Sequence, residues 1–311
     1  MSKTGIKVFA PASVANVACG YDILGFALNK PGDEIVGRLV DKPGLRITKI
    51  TGDKGKLPYE IEKNTAGFAA QRLLEHLGEE KRGIEIEIHK KMPFGSGLGS
   101  SAASSAAGVM IINELLGRPL TKRALLPFAV AGEELADGAY HADNVGPALM
   151  GGMLLIRDNP TLDVHKLVTP EGLHATVVYP HVKILTRDAR AVLSDTTTLK
   201  QTVAQTGNLG ALIVGLYNAD FDLIGRALKD VIVEPQRAQL IPDFYKVKEA
   251  ALKAGVLGCS ISGAGPSIFA LSANKTIAER AGEAMQQVFD AINIKNELFI
   301  STINQEGAVL L

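Results

Sequence analysis

The chain has 311 residues, 33 Lys+Arg against 33 Asp+Glu, 46% hydrophobic and 21% charged residues, and no formal net charge at pH 7. This composition excludes extended disorder and a broad basic face for nucleic acid, and the length suits two domains or one large one. Two cysteines cannot frame a disulfide scaffold, MSKTGIKVFAPAS lacks a signal-peptide apolar stretch, and no uncharged apolar run approaches membrane-spanning length, so a cytoplasmic protein without nucleic-acid or membrane partners is expected.

The first third reads as strands. Residues 6–10 are apolar-rich, 33–40 alternate loosely, and 45–50 set Leu, Ile and Ile against Arg, Thr and Lys. Residues 64–77 (NTAGFAAQRLLEHL) have helical spacing, and 84–89 (IEIEIH) alternate as a half-buried strand. After a glycine-rich turn come an apolar helix over 101–116 and a second helix over 121–135, with Thr121 as N-cap. Residues 151–157 read as a buried strand. The segment 158–172, with Pro160 and Pro170, is the expected junction, dividing the chain into 1–160 and 161–311. The second half predicts strands at 175–179, 256–261, 267–271, 297–303 and 308–311, and helices at 189–192, 209–217, 244–254 and 277–291. Strands and helices mix without strict alternation, which points to the α+β class.

The sharpest local feature is PFGSGLGSSAASS at 93–105, after a strand and into a helix. Its glycines allow several N–H groups to converge on an anion, and Ser100 and Ser101 open a helix whose positive end favours phosphate. Their hydroxyls add donors, or reach a Mg²⁺ bound to that phosphate. A Walker loop needs a lysine after its last glycine, and none is present. GLGSSA at 97–102 meets the dinucleotide pattern G-x-G-x-x-A, but four residues separate it from the strand and its helix leads to another helix. A turn serving only helix packing is the plain alternative. GCSIS at 258–262 misses the nucleophile pattern G-x-S-x-G at its last position.

PFGSGLGSSAASS resembles the P-x-x-x-G-L-G-S-S-A-x-S phosphate loop of the GHMP kinases. PASVANVACGYDILGF at 11–26 resembles that family's N-terminal motif, and SGAGPS at 262–267 its C-terminal glycine motif. The resemblance implies a two-domain α+β fold: an N-terminal ATP-binding domain, a C-terminal ferredoxin-like domain, and the active site in the cleft between them. It also implies ATP as co-substrate, Mg²⁺ and a possible homodimer. By resemblance, Pro93, Phe94, Gly95, Ser96, Gly97, Leu98, Gly99, Ser100, Ser101, Ala102 and Ala103 bind the triphosphate, Asn64 lies near adenine, and Ser101 with Glu133 holds the metal. Glu134, the adjacent competitor, is turned about 100° away on a helix.

Four segments resemble the family members that phosphorylate homoserine in threonine biosynthesis: Asn16 with Asp22, HADN at 141–144, TRDAR at 186–190, and EPQRAQLIP at 234–242. This resemblance implies that Asp22 holds an ammonium, Arg190 and Arg237 a carboxylate, and Asn16, His141 and Asn144 the side-chain hydroxyl. A zwitterion needs such a set, with arginine's planar fork suited to the carboxylate. Taken singly, each of these residues reads as ordinary surface or turn chemistry.

Several sibling kinases carry an aspartate seven residues before the paired glycines; that position here is Asn144, which cannot take a proton. The resemblance therefore implies direct transfer without a strong base, Asn144 orienting the hydroxyl and Thr186 lying close to the transferred phosphate. Asp143 is expected to be rotated off target, as one residue along a helix would be. Ala18 and Tyr21 replace the Gly and Phe of the usual G-x-G-F-D, and Cys19 reads as a small buried residue. The alternatives are a kinase for a mevalonate-like or sugar acceptor, which leaves Asp22 without an ammonium to match, and a nucleotide-binding regulator without catalysis.

Overall fold

The computed structural model describes residues 5–311. Its elements in chain order are β1 (Ile6–Ala15), β2 (Leu24–Leu39), β3 (Leu45–Thr51), α1 (Thr65–Leu77), β4 (Ile84–His89), α2 (Ser100–Leu115), α3 (Lys122–Asp137), α4 (Val145–Met150), β5 (Met153–Asp158), β6 (Asp163–Leu167) and β7 (His174–Pro180). There follow α5 (Thr186–Ala191), α6 (Leu199–Asn218), α7 (Phe221–Ala227), α8 (Glu234–Arg237), α9 (Phe244–Lys253), β8 (Gly258–Ile261), β9 (Ile268–Ser272), α10 (Lys275–Ala291), β10 (Asn296–Thr302) and β11 (Val309–Leu310).

The first sheet has seven strands, β11-β1-β2-β4-β3 with β5 and β6 continuing from β2. Strand β4 buries Ile84, Ile86 and Ile88 and leaves the residues between them half-exposed, as its alternation requires. Helix α2 has no polar face because it has no solvent face: it lies among the sheet, α1 and α3, and is buried at nearly every position from Ser100 to Asn113. Thr121 caps α3 by accepting from the Ala124 N–H.

The expected division at residue 160 falls inside the β5–β6 hairpin. Both strands belong to the first sheet, with Met153 opposite Leu167 and Asp158 opposite Asp163. Pro160 marks a hairpin turn, and the chain passes to the second sheet only between β6 and β7. The C-terminal strand β11 then returns to pair with β1, Leu310 opposite Val8. Strand β6 escapes notice in the sequence because DVHKL buries only Val164 and Leu167.

The second sheet, β10-β7-β9-β8, is antiparallel throughout. Read as β7-α9-β8-β9-α10-β10, its strand order is that of a ferredoxin-like βαββαβ unit. Helices α5 to α8 are inserted between β7 and α9. Helix α6 starts ten residues earlier than its apolar spacing suggests, at Leu199 instead of 209, because a Thr198–Gln201 capping box opens a stretch too exposed to show periodicity. Phe26 of β2 meets Phe269 of β9 edge-on, ring centroids 6.1 Å apart, a contact between the two sheets. Among the described residues, no helix is long and apolar enough to cross a membrane.

Candidate active site

Three glycine-bearing segments meet between the sheets. The 93–99 loop joins β4 to α2, and a buried ion pair fixes both of its ends. The Asp33 carboxylate accepts from the N–H groups of Lys91 (2.7 Å) and Met92 (3.1 Å), while the Lys90 ammonium donates to Asp33, to the Ser100 carbonyl (2.8 Å) and to Ser104 Oγ (2.7 Å). Burial pulls the Lys90 pKa below its ordinary value, against the opposing pull of Asp33. The loop is pressed onto the 262–267 segment: Ser262 Oγ donates to the Gly97 carbonyl at 2.7 Å, and the Ser267 N–H to that of Ser96 at 3.1 Å. Gly97 has φ +78°, and a Cβ there would sit 2.5 Å from the Ser262 carbonyl oxygen. Gly99, at φ +66°, would drive a Cβ to 2.2 Å from Ser13 Oγ; it is the N-cap of α2 and has no side chain to cap it, so the helix's first N–H groups face the cleft.

The cleft encloses about 290 Å³. Phe94, Gly95, Ser96, Gly97, Gly99, Ser100 and Ser101 line it, whereas Pro93, Leu98, Ala102 and Ala103 do not. Leu98, Ala102 and Ala103 are wholly buried in the core behind the loop, and the Pro93 carbonyl accepts from Ser96 Oγ. Asn64, expected near adenine, does not line this cleft. Its side chain caps α1, accepting from the N–H groups of Ala66 (3.1 Å) and Gly67 (3.2 Å) and donating to the Pro58 carbonyl (3.0 Å).

Ser101 Oγ donates to Glu133 Oε1 at 2.9 Å, joining the first turn of α2 to the inner face of α3. Glu133 is buried and lines the cleft, while Glu134 is exposed. Among the described residues no three His, Cys, Asp or Glu side chains cluster as a metal site. A buried carboxylate beside a hydroxyl is nonetheless an all-oxygen pair, the donor chemistry Mg²⁺ takes when phosphates complete its shell.

At the other end the charged side chains converge. Arg190 on α5 and Arg237 on α8 both donate to Tyr21 Oη, at 3.3 and 3.5 Å. Arg190 also faces Asp22 Oδ2 at 3.5 Å and donates to His141 Nε2, whose Nδ1 lies 3.3 Å from Asp143 Oδ1. Asn16, at φ 72°, lines the cleft and ties its loop to the 262–267 segment, accepting from the Asp22 N–H at 3.0 Å and donating to the Gly263 carbonyl at 2.8 Å. Burial, and then the nearby Asp143, raises the Asp22 pKa above the ordinary carboxylate value; burial lowers that of Arg237. Arg237 is 4% exposed and also donates to the carbonyls of Ala189 (2.9 Å) and Gly263 (3.1 Å). Thr186, at the start of α5, lines the same cleft. Cys19 is buried, which pushes its thiol up to about 12.

The expected rotation of Asp143 away from the cleft does not occur. Asn144 is the N-cap of α4 and Asp143 precedes it, so helical spacing does not apply, and both side chains line the cleft. Asn144 Oδ1 accepts from Ser13 Oγ at 2.9 Å. Sequence reasoning passed over Ser13, Tyr21 as a polar group, and the Lys90–Asp33 pair. Only Tyr21 left a signal, as a hydroxyl where the motif has Phe.

The family models described as GHMP kinases N terminal domain and GHMP kinases C terminal match residues 64–152 and 212–291. The chain is 48% identical to the homoserine kinase of Chlorobium phaeovibrioides, covering 98% of this chain and 99% of that one, and 40% identical to that of Xylella fastidiosa, covering 98% and 94%. The crystal structure of homoserine kinase from Cytophaga hutchinsonii superposes with a TM-score of 0.97 at 56% identity, covering 100% of this chain and 99% of the other. L. major mevalonate kinase, at 16% identity and a TM-score of 0.72 over 96% of each chain, shares the fold. By these matches the chain belongs to the GHMP kinase family and, within it, to the homoserine kinases.

Proposed function

We propose that this enzyme transfers the γ-phosphoryl group of ATP to the side-chain hydroxyl of homoserine, forming O-phosphohomoserine. The observation that carries the reading is the convergence of Arg190 and Arg237 on one oxygen, within 3.5 Å, beside Asp22. Two guanidiniums and a carboxylate around one space complement an α-amino acid, whose carboxylate and ammonium take the two signs. Mevalonate and sugars offer no ammonium to Asp22.

The reacting ends meet along the cleft. Backbone N–H groups of the 95–101 loop and the open start of α2 bind the triphosphate, substituting fixed dipoles for water around a polyanion. Ser101 and Glu133 would hold Mg²⁺, which neutralises charge on the phosphate oxygens when bound. Asn144, held by Ser13, orients the acceptor hydroxyl, and Thr186 lies beside the phosphoryl in transit. His141 and Asp143 act at the acceptor end by setting the orientation of Arg190. Phosphoryl transfer asks mainly for positioning and charge stabilisation, which this arrangement supplies without a strong base at the Asn144 position. The two buried thiols fit a reducing compartment, where we place the enzyme.

The test is ADP release from MgATP with homoserine, mevalonate, shikimate or galactose as acceptor. Stimulation by homoserine alone is expected. Its absence, with release on another alcohol, overturns the reading.

A further inference from the structure

Tyr21 stands between the two arginines. Its loop is set by Asn16, which receives the Gly20 N–H on its carbonyl at 2.9 Å and the Asp22 N–H on its side chain at 3.0 Å. The Tyr21 ring lies 5.1 Å from the Arg237 guanidinium carbon, close enough for cation–π attraction. Its oxygen accepts from Arg190 Nη1 and from Arg237 Nη2. Two guanidiniums this close repel each other, and a shared acceptor offsets that repulsion while fixing their separation.

A phenol hydroxyl can both donate and accept, and here its oxygen is the acceptor that the two guanidiniums share. Burial, and then Asp22, raises the Tyr21 pKa above its ordinary value, so the hydroxyl stays protonated. We propose that Tyr21 is a specificity-determining residue that acts through the two arginines: its hydroxyl holds Arg190 and Arg237 at the spacing a carboxylate needs, so the site selects acceptors bearing one. A phenylalanine would fill the same volume and keep the ring contact with Arg237. It would leave the two guanidiniums without a common acceptor, and so without the contact that sets their separation.

The inference rests on the homoserine reading, and the experiment separates the two. Wild type and Tyr21→Phe are compared in steady-state kinetics with homoserine and ATP, and in competitive inhibition by 3-aminopropan-1-ol, which is homoserine without its carboxylate. In the variant, KM for homoserine should rise about 10- to 150-fold, the span for a hydrogen bond to a charged group. Turnover and KM for ATP stay within twofold, and so does the inhibition constant of 3-aminopropan-1-ol. A homoserine KM unchanged in the variant overturns the proposal, because the ring alone then suffices. Equal weakening of homoserine and the decarboxylated analogue also overturns it, because the loss is then not at the carboxylate. Wild-type enzyme that does not phosphorylate homoserine overturns the underlying reading instead, before the variant is considered.

Discussion

The two arginines differ in what else they hold, so truncating them should produce different kinetics. Arg190 is one-third exposed, and its partners Asp22 and His141 line the cleft with it, while Tyr21 adjoins it. Arg190→Ala removes a charged donor to the acceptor carboxylate, worth about 1.5–3 kcal/mol, so KM for homoserine should rise about 10- to 150-fold with KM for ATP unchanged. Arg237 is also a brace. It donates to the Ala189 carbonyl, on the helix that carries Arg190, and to Gly263, next to the Ser262 that holds the phosphate loop. Arg237→Ala leaves the Ala189 oxygen without that donor, while Gly263 keeps the Asn16 amide. An orphaned buried carbonyl costs about 1–3 kcal/mol; at about 2.1 cal/mol/K of unfolding entropy per residue, that lowers Tm by roughly 2–5 °C. KM for ATP should rise severalfold as well, because the loop loses part of its support. Initial rates with each substrate varied, together with thermal melts of both variants, read all of this. An Arg237→Ala enzyme with native Tm and native KM for ATP would refute the bracing argument. An Arg190→Ala enzyme that loses ATP as severely as homoserine would refute the carboxylate assignment.

Glu133→Gln should raise the Mg²⁺ concentration needed for half-maximal rate by tenfold or more while sparing homoserine affinity; a Mg²⁺ titration that superposes on wild type removes Glu133 from the metal site. Asp22 has a folded pKa above its ordinary value, so its contribution to stability is complete below the ordinary pKa and is lost as pH rises through the raised one. At pH 7 Asp22→Asn should therefore melt higher than wild type while losing homoserine affinity, and wild-type KM for homoserine should climb on acidification before other carboxylates titrate; a variant that melts lower at pH 7 contradicts the burial argument. Asp143→Asn should change KM for homoserine several-fold, through His141 and Arg190, and keep turnover within about tenfold. A loss near 1000-fold in turnover, within the range for a general base, would assign proton transfer to Asp143.

Short-range patterns were legible where burial is one-sided. The IEIEIH alternation gave β4 its bounds, and Asn64 and Thr121 marked the starts of α1 and α3. The glycine loop was legible as an anion cradle because its chemistry is local. What the sequence hid was pairing at a distance. Nothing in DVHKL says that it completes the first sheet, and the proline at 160 signals a turn without saying whether it closes a hairpin or separates domains. The same limit applied to the site. Asn64, expected near adenine, also caps α1, a duty that short polar side chains at helix starts commonly take. Asp143 was misjudged because a helix was assumed one residue too early, and Tyr21 because an aromatic substitution was weighed by volume and not by its oxygen.

Zero net charge is consistent with a site for a polyanion and a zwitterion because charge here is arranged by crossings of the chain. Strand β11 follows the second sheet in the chain and returns to pair with β1, so the halves that carry Asp22 and the two arginines are tied at both ends of the second unit. Ser262 and Ser267 bind the phosphate loop directly, and Arg237 reaches Gly263 in the same segment. On the proposed reading, the groups that would grip the acceptor carboxylate and the triphosphate share one short glycine segment. A displacement there would move the two substrates relative to each other, and phosphoryl transfer depends on in-line positioning, so a substitution at Ser262 should lower turnover without contacting either substrate.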